Sequence, residues 1–225
     1  MNSSKLYKCI LFDLDGVLLD TEKIYMNLMT NYNRKIGIFT NNDFYIKNLL
    51  GKTQTEINKY YCKHFKKSFN QTTYWDELLK LRHEFIENNQ ITIKPGVMEL
   101  IEYLKTNKYT IGIVTSNSAD LTKTLLNNSG IDINLFDVIV SREFVLKTKP
   151  SPELYLKAIN ILNVRKTDVL AVEDSKVGIK SAIKAGISVV YIEDIDVIPV
   201  GIRKKCISSC KNIKDVMKIL NEKRD

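Results

Sequence analysis

Four cysteines, two histidines and one tryptophan are all that the 225 residues carry of these types. Cys9, Cys62, Cys206 and Cys210 have neither disulfide-framework nor zinc spacing, and only two histidines exist to help them. Reduced thiols are the expectation, with Cys9 inside the first strand. A long hydrophobic run is also missing: no apolar stretch approaches the roughly 20 residues that span a bilayer. Met1 to Lys8 is polar, and the short apolar run after it is interrupted by Asp13, which is not the form of a secretory leader. A cytoplasmic location with no membrane partner is therefore expected. Internal repeats, low-complexity segments and long linkers are absent as well.

Charge of one sign is scarcer than the other, 26 Asp and Glu against 34 Lys and Arg, for a formal net charge of +8. That excess favours anionic ligands in general. The lysines are spread along the chain with only brief clusters, Lys63 to Lys67 and Arg203-Lys204-Lys205, and no aromatic residues alternate with them as a single-strand binder requires. They read as solvated surface, and no nucleic acid is expected. The length accommodates one domain or one domain with a smaller insert, with no partner needed to fold, so a monomer is expected.

What is present begins at the apolar run Lys8 to Phe12, which ends in Asp13-Leu14-Asp15-Gly16. Two carboxylates one residue apart, emerging from a buried strand into a turn at Gly16, can converge on one small site. They repel unless a cation joins them, and Mg²⁺ prefers carboxylate and carbonyl oxygens with other positions left to water and phosphate. From Thr21 the pattern is helical: Thr21 to Ile36, Asn42 to Leu49, Thr53 to Lys66 and Thr73 to Asn89 each carry apolar residues at three and four spacing. From Pro95 helices alternate with short apolar strands. Helices are predicted at Val97 to Thr106, Ala119 to Asn128, Pro152 to Leu162, Val177 to Ala185 and Ile213 to Leu220. Strands are predicted at Thr110 to Val114, Val138 to Val140, Val169 to Val172 and Ser188 to Ile192. This alternation predicts an α/β protein: a Rossmann-like, doubly wound parallel sheet built from residues 1–20 and 95–225, with residues 21–94 inserted as an α-helical cap. The insert leaves and rejoins the sheet beside the carboxyl ends of the strands, where open α/β sheets bind ligands.

Each strand end then supplies a different group. Val114-Thr115-Ser116-Asn117 offers the Thr115 hydroxyl and the Ser116 and Asn117 N–H groups, suited to phosphate oxygens or to capping a helix. Lys149 before Pro150 brings an ammonium, or stands as a surface lysine beside a turn. Glu173-Asp174-Ser175 brings further acidic oxygens, or caps the next helix. Their succession, with Gly178 and Ala185-Gly186 following, resembles the four motifs of the haloacid dehalogenase superfamily, in its subgroup with a helical cap after the first strand. The resemblance covers nearly the whole chain.

That resemblance implies a Mg²⁺-dependent phosphatase acting on a small phosphorylated metabolite. Asp13 would be the nucleophile that forms an aspartyl phosphate, and Asp15 the general acid and then base. The metal would be held by Asp13, the Asp15 backbone carbonyl and Asp174, with Glu173 beside it, while Thr115, Ser116, Asn117 and Lys149 would bind the transferring group. An aspartate at position 15 argues against dehalogenation. The subgroup includes phosphoglycolate phosphatases, sugar-phosphate phosphatases and β-phosphoglucomutases. The mutase pattern shares Leu50-Gly51-Lys52-Thr53 and Glu173-Asp174-Ser175, but has a histidine where this chain has Tyr25, which favours hydrolysis over the mutase alternative. A catalytically silent binding module is the alternative of another class, and it is opposed by the presence of nucleophile, acid and metal carboxylates. Lys52, Gln54, Arg82 and His83 are the candidates for choosing the substrate. His64 reads as surface.

Overall fold

The structure, a computed structural model, describes residues 7–50, 52, 54–65, 69–195 and 198–222. Gly51 and Thr53 of the Leu50-Gly51-Lys52-Thr53 segment, and Lys66 and Lys67 of the first lysine cluster, lie outside the described residues. The chain divides into two compact units, one of the residues up to Asp20 together with those from Ile91 onward, the other Thr21–Gln90. No helix of the described residues is long and apolar enough to cross a membrane.

In chain order, β1 (Cys9–Phe12) is followed by the four helices of the second unit, α1 (Glu22–Lys35), α2 (Asn42–Asn48), α3 (Gln54–His64) and α4 (Gln71–Asn88). The first unit resumes with α5 (Val97–Thr106), β2 (Thr110–Val114), α6 (Ala119–Ser129), β3 (Val138–Val140), α7 (Glu153–Leu162) and β4 (Val169–Glu173). It ends with α8 (Lys176–Ala185), β5 (Ser188–Ile192), α9 (Val200–Arg203), β6 (Ser208–Cys210) and α10 (Asp215–Glu222). The strands form one six-stranded sheet in the order β3-β2-β1-β4-β5-β6, and every pair is parallel. It is the doubly wound, Rossmann-like α/β fold. A parallel sheet buried on both faces needs strands without polar alternation, and the fully buried Cys-Ile-Leu-Phe of β1 meets that demand at the centre.

Register fixes the site. Phe12 lies opposite Ile113 of β2 and Val172 of β4, so the residues leaving these three strands emerge level. From β1 the chain winds outward through β2 and β3 on one side and through β4, β5 and β6 on the other, which makes β1 and β4 the switch point where such sheets open a crevice. The helices that follow begin and end on local chemistry. Ser118 caps α6 through the Leu121 N–H, Ser175 caps α8 through the Gly178 N–H, and Gly130 and Gly186 close the two helices with positive φ.

Two differences from the sequence expectation have physical causes. The first unit resumes at Ile91 rather than Pro95, because the Ile91 N–H donates to the Asn128 carbonyl, Leu19 bridges Ile93, and the Lys94 N–H donates to the Leu18 carbonyl. β6 and α9 carry no strong pattern: Ser208-Ser209-Cys210 becomes a strand by pairing with Val190, Tyr191 and Ile192 of β5 rather than by its own propensity.

The helical unit packs around aromatic rings, with Tyr61 and Tyr74 buried. At its centre the buried Asn33 donates to Tyr61 Oη at 2.8 Å and to Thr40 Oγ1 at 2.9 Å, and accepts from the Tyr74 hydroxyl at 2.7 Å. Trp75, the chain's one tryptophan, belongs to the same cluster and reports on this unit. Asn33→Ala strips these buried hydroxyls of a shared partner and is expected to destabilise the helical unit by about 2 kcal/mol, read by tryptophan fluorescence during urea unfolding.

Candidate active site

The turn that follows β1 is held by its own backbone. The Leu18 and Leu19 N–H groups both donate to the Leu14 carbonyl, and the Gly16 N–H donates to Leu19. Leu14, Val17, Leu18 and Leu19 are fully buried and anchor it. Gly16 has φ of 73°, and a Cβ there would stand 2.0 Å from Asp174 Oδ2. The absence of a side chain at Gly16 lets the Asp13-Leu14-Asp15 backbone lie against the Asp174 carboxylate. Asp13 itself is tied to β4 by its N–H on the Val172 carbonyl.

Across this turn the Lys149 ammonium is 2.8 Å from Asp13 Oδ1 and 2.7 Å from Glu173 Oε1, and donates at 2.8 Å to the Val114 carbonyl at the end of β2. Its side chain is only 3% exposed, and that of Asp13 is 13% exposed, so the open side of this pair is the aspartate. Glu173 Oε1 also accepts from the Tyr155 hydroxyl at 2.6 Å. Burial pushes the Asp13 carboxyl up to about 7, against the pull of Lys149 and with the help of the Glu173 charge. Burial opposes the charged form of Lys149, but the two carboxylates outweigh it and hold its pKa above the ordinary lysine value. The Tyr155 phenol, driven up by burial and by Glu173, stays a neutral donor.

The other predicted groups are placed less simply. Asp15 accepts from Asn117 Nδ2 at 2.6 Å, which orients its carboxyl group. Thr115 is buried, its N–H bonded to the Val140 carbonyl and its Oγ1 accepting the Asn117 N–H at 3.1 Å. The Asn117 N–H, expected to face phosphate, is thus used inside the loop, and α6 begins at Ala119, beyond Ser116 and Asn117. Ser116 is exposed. Three features had no signal in the sequence: the hydroxyl bond of Tyr155, which reads as part of the apolar stripe of α7; the bond of the Asn117 side chain to Asp15; and the ion pair of Lys94 with Asp194 at 2.7 Å.

Asp13, Glu173 and Asp174 offer carboxylate oxygens that lie within 4.8 Å of one another. This all-oxygen set, with the Gly16 backbone cradling Asp174, fits a hard divalent cation.

The sequence profile of the haloacid dehalogenase-like hydrolases matches residues 10–192, from β1 to the end of β5. The chain belongs to that family. Among its relatives, the phosphorylated carbohydrates phosphatase of Thermotoga maritima is 28% identical over 189 residues, covering 82% of this chain and 84% of that protein. Hexitol phosphatase A of Escherichia coli is 27% identical over 186 residues, covering 82% of each. The fold is shared with a crystal structure of a CbbY variant from Rhodobacter sphaeroides in complex with xylulose-(1,5)bisphosphate, with a TM-score of 0.75, 21% identity, and 93% of this chain and 96% of that one covered.

Within this haloacid dehalogenase-like chain, the four predicted substrate-selecting residues all belong to the helical unit. Lys52 and Gln54 are exposed, the Lys52 ammonium lying 5.2 Å over the Tyr60 ring. Arg82 stacks on Tyr25 at 3.9 Å and donates to its hydroxyl at 2.7 Å, and His83 is half-buried. His64 is exposed and stacked on Tyr60.

Two consequences are measurable. A Cβ at Gly178, on the first turn of α8, would fall 1.9 Å from Glu173 Oε2, and Glu173 is fully buried. Gly178→Ala is expected to cost about 3 kcal/mol and to lower the thermal midpoint accordingly. The raised pKa of Asp13 also links stability to pH. Between the ordinary aspartate value near 3.8 and about 7 the folded state holds a proton that the unfolded state has lost, so stability falls as pH rises through that window. The loss amounts to at most about 4 kcal/mol. In chelator-treated protein, Asp13→Asn is expected to remove this fall and to unfold at higher urea than the parent at pH 8, with a smaller advantage at pH 5.

Proposed function

We propose that this protein is a Mg²⁺-dependent phosphatase that hydrolyses a small phosphate monoester of a sugar or sugar-like metabolite through an aspartyl phosphate. The observation that carries this reading is the partly open Asp13 carboxylate, 2.8 Å from a buried ammonium and clustered with Glu173 and Asp174 at the carboxyl ends of the central strands. Family membership and the phosphatase names of the Thermotoga and Escherichia relatives support it.

In this reading Asp13 attacks phosphorus. The bond from phosphorus to the ester oxygen breaks as Asp15 gives that oxygen its proton. Asp15, now ionised, takes a proton from water as the water oxygen attacks the same phosphorus, and the mixed anhydride opens to inorganic phosphate and free Asp13. Asn117 orients Asp15 for both transfers through the amide contact at 2.6 Å. Lys149 keeps Asp13 available as an anion beside Glu173, and from behind Asp13 its buried charge would favour an approaching phosphoryl group through the electrostatic potential of the crevice. Thr115 shapes the loop in which those oxygens would sit. Asp13, Asp174, Glu173 and the Asp15 backbone carbonyl would hold Mg²⁺, which neutralises phosphate charge when bound. In the helical unit, Lys52, Gln54, Arg82 and His83 remain the candidates for substrate choice. The Tyr25 hydroxyl accepts from Arg82 and offers no imidazole, which favours hydrolysis over a mutase cycle.

Phosphate release from sugar phosphates, hexitol phosphates and phosphoglycolate with Mg²⁺ is the test. Asp13→Asn is expected to lower kcat by at least about 10³-fold with the fold retained, and excess chelator to silence the parent until Mg²⁺ is restored. Normal turnover by Asp13→Asn would remove the proposed nucleophile, and conversion of β-glucose 1-phosphate to glucose 6-phosphate with little free phosphate would mark a mutase.

A further inference from the structure

One fully buried polar group beside Lys149 has no part in the chemistry above. Tyr155 lies on α7 among Leu154, Ala158 and Ile159, an apolar stripe where phenylalanine would pack as well. A buried hydroxyl costs stability unless it is bonded. This one donates to Glu173 Oε1 at 2.6 Å, the same oxygen that accepts from Lys149 at 2.7 Å. The ring of Tyr155 also faces the ammonium, 5.4 Å from its centroid.

We propose that Tyr155 is a positioning residue whose phenol pins Glu173 Oε1 as the counterion of Lys149 and so keeps the ammonium against Asp13. Glu173 has two possible allegiances. Its oxygens lie within reach of the Asp13 and Asp174 carboxylates, where a cation would draw them, and also within reach of Lys149. A second donor on Oε1 favours the arrangement in which that oxygen serves the lysine. The other oxygen occupies room that Gly178, lacking a side chain, leaves open, and its contact with Ser175 Oγ is a long 3.5 Å, so the short bonds that orient the carboxylate are those on Oε1. With Glu173 fixed, the three acceptors of the ammonium, Glu173, Asp13 and the Val114 carbonyl, hold a constant geometry. The inference rests on the phosphatase reading for what the ammonium does in turnover, but not for where it is held.

The decisive experiment pairs nuclear magnetic resonance of the lysine ammonium groups with a double-mutant cycle between Tyr155→Phe and Glu173→Gln. Phenylalanine keeps the ring over the ammonium and removes only the hydroxyl. A triply bonded, buried ammonium exchanges slowly enough to be observed, and its resonance is assigned by its loss in Lys149→Met. In Tyr155→Phe that resonance is expected to shift and broaden. With p-nitrophenyl phosphate and Mg²⁺, kcat is expected to fall about tenfold at unchanged KM and thermal midpoint, and by less than about twofold when Glu173→Gln is already present. An unmoved Lys149 resonance, an unchanged kcat, or an equal loss in the Glu173→Gln background would each overturn the proposal. In the parent protein the Tyr155 hydroxyl proton is expected to be protected from exchange and to show an Overhauser contact to the Lys149 ammonium. Absence of that contact overturns the proposal even if Tyr155→Phe does not fold. A parent protein inactive toward every phosphate ester would remove the phosphatase reading, while the resonance measurements would still decide the role of Tyr155.

Discussion

The buried ammonium of Lys149 is what allows the strand ends of this protein to carry so many carboxylates. Asp13, Glu173 and Asp174 crowd within a few ångströms in a water-poor crevice, where like charges raise one another's proton affinity and desolvation raises it further. A lysine that is itself 3% exposed, bonded to two of the carboxylates and to a strand carbonyl, offsets part of that cost. The remainder persists as the raised pKa of Asp13. A bound cation of the kind proposed above would offset that remainder.

The fold meets this constraint with small residues as much as with charged ones. Parallel register brings β1, β2 and β4 to a common level, so that one lysine can touch all three. Gly16 lets the turn after β1 close against Asp174, and Gly178 leaves the room on α8 that the Glu173 carboxylate occupies. Each glycine stands where a side chain would displace a carboxylate. Their value lies in the polar groups they admit, a consideration distinct from backbone freedom, which only Gly16 of the two requires.

Much of this was legible before any coordinates. Apolar runs bounded by acidic, Thr-Ser-Asn, lysine and Glu-Asp segments located β1, β2 and β4 and the groups at their ends, because buried parallel strands cannot hide polar residues except where they emerge. The helices of the second unit followed from three and four spacing, with α2 starting at Asn42 as expected and α4 starting two residues early, at Gln71, where the Asn70 side chain caps it. β6 escaped notice because its three residues acquire a strand only from the edge of β5. Tyr155 escaped for a different reason: its position on an apolar helix stripe is that of a core residue, and only the approach of α7 to β4 gives its hydroxyl a partner.

By itself the sequence determined the family, the α/β class, the order of strands and helices other than α9 and β6, and the identity of the charged groups at the strand ends, since all of these follow from local pattern and from motifs along the chain. Tertiary structure alone decided the allegiances among those groups. It gave Lys149 to Asp13, Glu173 and Val114, gave the Asn117 amide to Asp15 and its N–H to Thr115, and gave Glu173 a phenol from a helix eighteen residues away. Such pairings depend on distances of a few tenths of an ångström between segments far apart in the chain. Residue types and spacing place candidates at the same crevice, but the packing of helices on the sheet selects which donor reaches which oxygen.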